Sequence, residues 1–335
     1  MVVYMTGAVL RDSIELVLDD PMVGEFVIVD NGSPAKVAET LRALGRLNPK
    51  VRLVQGQGNV GFAQGANLGA QVARGRHLVF LNPDALLQPG CIQSLLDSAR
   101  GQPSPCVVGA CVLNPDGSEQ RGGRRGEVTP VTTLMTLTHL ALNIRSLRRF
   151  EIHREDEPRP LAPMPVQTIS GACFYTSRKD FEALGGFDEG FFLHVEDIDF
   201  CWRARQQGGT VLFDPLARVV HLGSTSQTHP MVVEFHKGRG LVRYFIKRAD
   251  NPWRLGLAWV LSPLIMLAAV ARPVLRRLAR RPSGLQAMSR RGENAGAGQG
   301  GGRGLAELLT DPAAGFDQAA EVQPGLDARA IQHVD

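Results

Sequence analysis

Short apolar runs alternate with segments of helical periodicity along the first hundred residues of the chain. Each run stops at a polar or turn-forming residue, as a buried strand does. The predicted strands are residues 2–4, 26–29, 51–54 and 77–81. Between them, apolar residues recur at helical spacing around Ile14, Leu41 and Asn67. Strands that alternate with helices indicate βαβ units with right-handed crossovers, and hence an α/β fold with a mostly parallel central sheet flanked by helices.

The alternation continues beyond residue 90 with less regular spacing. We predict helices at 91–99, 181–184 and 195–206, and strands at 107–112, 166–176 and 211–213. An arginine- and glycine-rich loop follows the strand at 107–112. Residues 130–149 fit a helical excursion from the sheet, and the charged, proline-rich residues 151–165 fit a surface loop. Together these elements predict one α/β domain over residues 1–230.

Two changes in composition follow this domain. Residues 255–271 are nearly all apolar, with Pro263 among them, and an arginine-rich stretch begins at Arg272. Seventeen residues are at the lower limit for crossing a bilayer, so we expect an in-plane or re-entrant membrane contact, with a buried pair of helices as the alternative. Beyond residue 283 the chain is rich in Gly and Ala. We predict a helical, membrane-associating segment over 231–282 and a disordered tail over 283–335.

Charge and cysteine content narrow the cellular setting. The net charge is only +4, but arginines crowd into residues 121–125, 145–154 and 272–291. Such clusters suggest an anionic partner, whether a membrane surface, a phosphate or a nucleic acid. The five cysteines contain no C-x-x-C pair, which argues against a disulfide framework or a zinc site and fits a reducing cytosol. The chain enters a strand pattern directly, so we expect no signal peptide.

The strand at 77–81 ends in Asn82-Pro83-Asp84. A carboxylate there lies at the carboxyl edge of a sheet, where open α/β folds bind ligands. Asp84 at that edge has the chemistry to hold Mg²⁺ or Mn²⁺, which in turn binds a diphosphate. The alternative is an Asx-Pro turn that merely ends the strand.

Two other segments offer polar groups at the same edge. Asp30 and Asn31 follow the second strand, where a carboxylate can accept hydrogen bonds from a ribose or a base, or form an Asx-turn into the next helix. The loop from Asn59 to Asn67 contains Gly61, which would let the backbone approach a ligand. Its glycine spacing matches neither the Rossmann fingerprint nor a Walker loop.

The C-terminal part of the domain supplies acids and a histidine. Glu196 and Asp197 follow two phenylalanines, and apolar surroundings make a carboxylate a better base. The alternative is that both acids complement a helix dipole. His221 follows a predicted strand and has the chemistry of a metal ligand, although a lone histidine is more often structural.

The ordered set of motifs resembles a family 2 glycosyltransferase, in the rhamnosyltransferase-like branch, over residues 2–226. The motifs are Val29-Asp30-Asn31-Gly32-Ser33, Asn59-Val60-Gly61-Phe62 with Asn67, Leu81-Asn82-Pro83-Asp84-Ala85, Gly171-Ala172-Cys173-Phe174, Gly185-Gly186-Phe187-Asp188-Glu189, Glu196-Asp197-Ile198-Asp199 with Arg203, and His221-Leu222-Gly223. The resemblance implies a GT-A fold, a nucleotide-sugar donor, a divalent metal (Mg²⁺ or Mn²⁺) and inversion at the anomeric carbon.

The resemblance also implies roles for individual residues. Asp30 would bind the nucleoside, Asp197 would be the base with Glu196 beside it, and Asp84 with His221 would hold the metal. The other donor-binding candidates are Asn31, Asn59, Gly61, Asn67 and Asn82. Asn82 stands where the family's D-x-D motif has its leading acid, and Tyr4-Met5-Thr6-Gly7 departs from the family's Thr-Tyr-Asn.

The expected function is transfer of a sugar from a nucleotide sugar to a lipid-linked or polysaccharide acceptor in cell-envelope glycan synthesis. The branch resemblance points to dTDP-rhamnose as the donor. The protein would be cytoplasmic and peripherally bound to the inner face of the cytoplasmic membrane, with no nucleic-acid partner. The alternatives are a sugar-phosphate nucleotidylyltransferase, which would need an arginine-bearing glycine loop near the N-terminus and a phosphate-binding lysine, and a non-catalytic membrane-bound scaffold.

Overall fold

The computed structural model of the chain describes residues 1–223 and 228–279. The predicted tail at 283–335 and the arginines beyond Ala279 lie outside the described residues.

Strands and helices alternate through most of the described chain. The strands are β1 Val2–Val3, β2 Phe26–Asp30, β3 Val51–Val54, β4 His77–Leu81, β5 Ala85–Leu87, β6 Cys106–Leu113, β7 Arg124–Arg125, β8 Met164–Pro165, β9 Thr168–Ile169, β10 Cys173–Ser177 and β11 Thr210–His221. The helices are α1 Val9–Asp19, α2 Ala35–Leu47, α3 Phe62–Val72, α4 Cys91–Ala99, α5 Pro130–Leu137, α6 Leu140–Asn143, the 3₁₀ helix Arg145–Phe150, α7 Arg178–Ala183, α8 Glu196–Gln206, α9 Pro230–Arg248 and α10 Pro252–Ala279.

The strands form a parallel sheet, a mixed sheet and a small antiparallel sheet of β7 and β9. The first has the order β1-β2-β3 with both pairs parallel, as the βαβ pattern predicts. The second has the order β4-β10-β6-β11-β5, in which β6 and β11 are parallel while β10 and β5 run antiparallel to their neighbours. All eight residues of β6 are buried, so its sequence is a continuous apolar run that carries no sign of strand direction. The α/β fold with parallel strands is confirmed, and its antiparallel part appears only in three dimensions.

Two strands differ from their predicted extent in ways that shape the edge of the mixed sheet. The predicted strand at 166–176 is split into β9 and β10, with a turn around Gly171 between them. The predicted strand at 211–213 and the strand predicted just before His221 are one strand, β11, with a register shift between Asp214 and Arg218. The Asp214 carboxylate, fully buried, accepts hydrogen bonds from the backbone N–H groups of Leu216 and Ala217, which accounts for the bulge.

The C-terminal helices pack onto the α/β domain. One hydrophobic cluster joins Leu241, Tyr244 and Ile265 of α9 and α10 to Ile198 of α8 and to Phe191 just before it. Helix α9 begins at Pro230. Among the described residues, one helical segment, Pro252–Pro273, is long and apolar enough to cross a membrane, with a mean hydropathy of 1.8 and 22% of it buried.

Candidate active site

The turn after β4 brings Asp84 to His221 at the end of β11. Strand β5 begins directly after Asp84 and pairs antiparallel with β11, with Ala85 opposite His221. The His221 Nε2 atom consequently lies 3.1 Å from Asp84 Oδ1 and 3.5 Å from Asn82 Nδ2. Short strand β5, which the sequence pattern did not indicate, is therefore the element that assembles the pair.

Gln120 determines which nitrogen of His221 faces Asp84. The Gln120 amide nitrogen donates to the His221 carbonyl (2.9 Å) and to Asn114 Oδ1 (3.2 Å). Its oxygen must then face His221 Nδ1, which is 2.7 Å away, so Nδ1 carries a proton and donates it. The lone pair of a neutral His221 is left on Nε2, directed at the Asp84 carboxylate.

This arrangement fits a divalent cation. A neutral imidazole nitrogen and a carboxylate oxygen at 3.1 Å both present lone pairs, so the contact is favourable only with a proton or a cation between or beside them. No group of three or more His, Cys, Asp or Glu side chains suited to a metal occurs among the described residues. Asp84 and His221 can therefore contribute only part of a coordination shell, to be completed by substrate or water oxygens.

A second cluster lies at the start of α8. Asp197 Oδ2 accepts hydrogen bonds from Arg125 Nη2 (2.8 Å) and from the Gly171 N–H (3.0 Å), and Oδ1 accepts one from the Ile198 N–H (2.8 Å). The preceding residue, Val195, has φ of 76°, a left-handed conformation that costs a non-glycine residue about 1–3 kcal/mol. Gly240 of α9 packs against Val195, since a Cβ at 240 would lie 3.0 Å from its Cγ2. Helix α9 thus holds the strained turn that aims the acids.

The neighbouring Glu196 differs from Asp197 in its protonation. Burial and the charge of Asp197 raise the pKa of the Glu196 carboxyl to about 8, so it is mostly protonated at neutral pH. Its Oε2 atom is buried and has no hydrogen-bond partner within the described part of the chain. Asp197, in contrast, forms an ion pair with the Arg125 guanidinium at 2.8 Å.

Gly171 and Ala172 join the two clusters. The Ala172 carbonyl accepts the Asn82 N–H at 2.8 Å, and the adjacent Gly171 N–H binds Asp197. Consecutive Cα atoms are about 3.8 Å apart, so the end of β4 and the acids of α8 are tied to the same short turn. One turn thus links the backbone at Asn82, next to the Asp84–His221 pair, to the side chain of Asp197.

The candidate nucleoside-binding residue Asp30 is engaged in a local turn. Its Oδ1 accepts the N–H groups of Gly32 (3.2 Å) and Ser33 (2.8 Å), and its Oδ2 accepts Gln55 Nε2 at 2.7 Å. This is the Asx-turn that sequence analysis left open as an alternative. The carboxylate is nearly buried, at 4% exposure, so any further bond to a nucleoside would use a remaining lone pair.

The other donor-side candidates build the wall of the site through internal contacts. Asn31 Nδ2 donates to the Gly61 carbonyl at 2.8 Å, and Asn59 Oδ1 accepts the Gly61 N–H at 3.2 Å. Gly61 is needed because a Cβ there would collide with the Phe192 carbonyl and lie 2.8 Å from its ring, so its close approach is to protein. Asn67 binds the Phe187 backbone at 2.9 Å through both its amide atoms.

Sequence reasoning missed Gln120 and Arg125, which lie in the arginine- and glycine-rich loop before and within β7. The same loop contains Arg121, which pairs with Glu151, and Arg124, which pairs with the buried Glu119 at 2.7 Å. Internal carboxylates thus balance the charges of Arg121, Arg124 and Arg125 within the protein. The signal available in the sequence was the arginine cluster itself, which we interpreted as pointing to an anionic partner.

Comparison with known proteins identifies the family of the chain. Residues 1–185 match the model of glycosyl transferase family 2. The chain belongs to this family, and it is a glycosyltransferase with a GT-A fold that uses a nucleotide-sugar donor.

Individual relatives point to the rhamnosyltransferase-like branch. The chain is 27% identical over 297 residues to the N-acetylglucosaminyl-diphospho-decaprenol L-rhamnosyltransferase of Mycobacterium tuberculosis, covering 80% of this chain and 90% of that protein. It is 23% identical over 210 residues to the low-salt glycan biosynthesis hexosyltransferase Agl10 of Haloferax volcanii, covering 62% of this chain and 61% of that protein. The predicted family and branch are confirmed.

Two solved structures share the fold. GalNAc-T7 with UDP, GalNAc and Mn²⁺ superposes with a TM-score of 0.51 at 17% identity, covering 72% of this chain and 45% of that one. The mannosyltransferase PcManGT from Pyrobaculum calidifontis, in complex with GDP-Man and Mn²⁺, gives a TM-score of 0.51 at 16% identity, covering 84% and 74%.

Proposed function

We propose that the protein transfers a hexosyl residue, rhamnose from dTDP-rhamnose, to a lipid-linked glycan acceptor in cell-envelope synthesis, with inversion at the anomeric carbon. The observation that carries this proposal is the pairing of two chemically different clusters across the Gly171–Ala172 turn. One cluster, Asp84 and His221, suits a cation and a diphosphate. The other, Asp197 beside Glu196, suits removal of a proton. The similarity to the mycobacterial L-rhamnosyltransferase supports the choice of sugar and acceptor class.

The donor would lie across the carboxyl ends of β2 in the parallel sheet and of β4 and β11 in the mixed sheet. Asp84 and His221 would hold Mg²⁺ or Mn²⁺, which neutralises the charge that develops on the leaving diphosphate. Asp30 would accept a hydrogen bond from the nucleoside. Asn31, Asn59, Gly61 and Asn67 would shape the wall of the donor site through their internal contacts, and Asn82 would point its amide to the phosphates.

Asp197 would take the proton of the acceptor hydroxyl as that oxygen attacks the anomeric carbon from the side opposite the diphosphate. A single displacement of this kind inverts the centre. Glu196 is mostly protonated at neutral pH, so it is the weaker candidate for the base. We assign Arg125 and Gln120 to positioning: Arg125 orients Asp197, and Gln120 directs His221 Nε2 towards the cation.

Helix α10 would rest on the membrane. Its Ala258, Ser262, Ile265 and Ala269 are buried, and α10 packs along α9 and α5. Its opposite face is exposed and uncharged from residue 255 to 267, and includes Trp259, 60% exposed, and Leu267, 67% exposed. A helix attached along its length to the domain is better suited to lie in the interface than to cross it. This supports an active site at the inner face of the cytoplasmic membrane.

Liposome binding tests the membrane contact. Replacing Trp259 and Leu267 with Ser should lower binding to phospholipid vesicles by at least about tenfold and leave donor hydrolysis unchanged. A wild-type protein that ignores vesicles of every composition would contradict this part of the proposal.

A donor-hydrolysis screen tests the activity. The purified protein is incubated with dTDP-, UDP- and GDP-sugars, with Mn²⁺, Mg²⁺ or EDTA, and released nucleoside diphosphate is measured. We expect metal-dependent hydrolysis of dTDP-rhamnose, followed by transfer when a polyprenyl-diphosphate-linked sugar is added. Binding of nucleotide without hydrolysis of any donor would favour a non-catalytic scaffold, and formation of nucleotide sugar from sugar phosphate would favour a nucleotidylyltransferase.

A further inference from the structure

The arginines within residues 121–125 and 145–154 fall into two groups, those that pair with a carboxylate of the described residues and those that do not. Arg121, Arg124 and Arg125 bind internal carboxylates, and Arg154 pairs with Glu157 at 2.6 Å. In contrast, three arginines of the 3₁₀ helix have no carboxylate partner among the described residues. We name them, Arg145, Arg148 and Arg149, the arginine patch. All three are exposed.

The geometry of the 3₁₀ helix concentrates their charge. Side chains three residues apart eclipse each other in such a helix, so Arg145 and Arg148 lie one above the other. Leu147 and Phe150 form the half-buried row that faces the protein. Arg149 lies over the Phe150 ring, 4.9 Å from its centroid. Like charges stacked a turn apart repel each other, and an anion from outside the chain would relieve that repulsion.

Apolar side chains border the arginine patch. Leu140 and Ile144, on and just after α6, are 38% and 43% exposed. Helix α6 contacts both the 3₁₀ helix and α5, and α5 packs against α10. The patch therefore belongs to the same group of helices as the exposed apolar face of α10. Cations flanked by aliphatic side chains match the interface of an anionic bilayer, where phosphates lie above hydrocarbon.

We propose that α6 and the 3₁₀ helix form a second membrane contact, in which the arginine patch binds anionic lipid headgroups and Leu140 and Ile144 enter the interface. This rests on the proposed membrane contact of α10 and adds lipid selectivity to it. The apolar face of α10 has no charge with which to distinguish lipids, whereas the arginine patch does. The exposed aliphatic pair favours a bilayer over a nucleic acid, whose charged backbone offers such side chains no apolar surface.

Vesicle partitioning of the full-length protein tests this contact. Binding to phosphatidylcholine vesicles and to mixed phosphatidylcholine–phosphatidylglycerol vesicles is measured by co-sedimentation. Since an interfacial arginine contributes about fivefold in affinity, Arg145→Gln/Arg148→Gln/Arg149→Gln should weaken binding to the mixed vesicles on the order of 100-fold. Binding to pure phosphatidylcholine should stay within about twofold, and Leu140→Ser/Ile144→Ser should weaken both.

The matched control removes three other exposed arginines, Arg42→Gln/Arg46→Gln/Arg76→Gln, and should change binding by no more than about threefold. Equal losses in the two triple variants, or no preference of the wild type for phosphatidylglycerol, would overturn the proposal. So would arginine-patch-dependent binding of a single-stranded oligonucleotide without lipid preference. Hydrolysis of dTDP-rhamnose is measured in parallel. If the protein does not hydrolyse this donor but still prefers anionic vesicles through the arginine patch, the proposed function is refuted and the proposed lipid contact is not.

Discussion

Replacing Glu196 with Gln should change how the stability of the protein depends on pH. A glutamine is neutral at every pH and nearly the same size, so it imitates the protonated carboxyl. Burial raises the pKa of Glu196 from 4.5 to about 8 in the folded protein. Above about pH 4.5 the unfolded chain releases this proton, whereas the folded wild type keeps it. The wild type therefore becomes less stable as the pH rises from about 4.5 to about 8.

The size of the effect follows from the shift. Between pH 4.5 and 8 the unfolded state binds one proton fewer at this site, so the free energy of unfolding falls by about 1.4 kcal/mol per pH unit. Over a shift from 4.5 to about 8, the loss approaches about 5 kcal/mol, an upper bound because Asp197 and Arg125 respond to the change. Glu196→Gln removes this contribution. The variant should be close to the wild type near pH 5 and markedly more stable near pH 8.5.

Urea unfolding followed by circular dichroism at half-unit steps from pH 5 to 8.5 measures the difference. Glu39→Gln, at an exposed position on α2, is the control and should give a curve parallel to the wild type. If the Glu196→Gln and wild-type curves are also parallel over this range, Glu196 is not held neutral in the folded state. The assignment of Asp197 rather than Glu196 as the base would then lose its electrostatic support.

Three further predictions concern catalysis. Asp84→Ala should abolish Mn²⁺-dependent binding of nucleoside diphosphate and lower turnover at least about a hundredfold, because it removes the carboxylate that we propose as a ligand of the cation. Near-normal kinetics in a folded variant would contradict this role. Asp197→Asn should abolish transfer and leave nucleotide affinity, measured by calorimetry, within a few-fold, whereas an active Asp197→Asn with an inactive Glu196→Gln would reverse their roles. Gln120→Leu should weaken Mn²⁺ binding about 10- to 100-fold, because it releases the His221 ring. Gln120→Glu is the control variant, since it keeps the acceptor oxygen. Unchanged Mn²⁺ affinity in Gln120→Leu would refute the positioning role.

The local pattern of apolar and polar residues was sufficient to predict the secondary-structure elements and the polar residues that end them. The apolar runs and helical periodicity predicted β2, β3, β4 and α4 nearly residue for residue. Asp30 ends β2 and Asp84 follows β4 by three residues, as the strand pattern predicted, although the two strands belong to different sheets. The resemblance to family 2 glycosyltransferases added roles that no single motif carries.

Contacts between distant parts of the chain determined which side chains of the candidate site meet. Gln120 and His221 are 101 residues apart, and Arg125 and Asp197 are 72 apart. No periodicity relates such pairs, since they meet only when β7, β9 and β11 have taken their places. The same holds for the arginines: a sequence shows that they cluster, but only packing shows which of them meet a carboxylate. Gly61 illustrates the reason, because its close neighbour is Phe192, 131 positions later. Local propensity fixes the backbone of each element, whereas ion pairs, hydrogen bonds and steric fit depend on the surfaces that packing brings together.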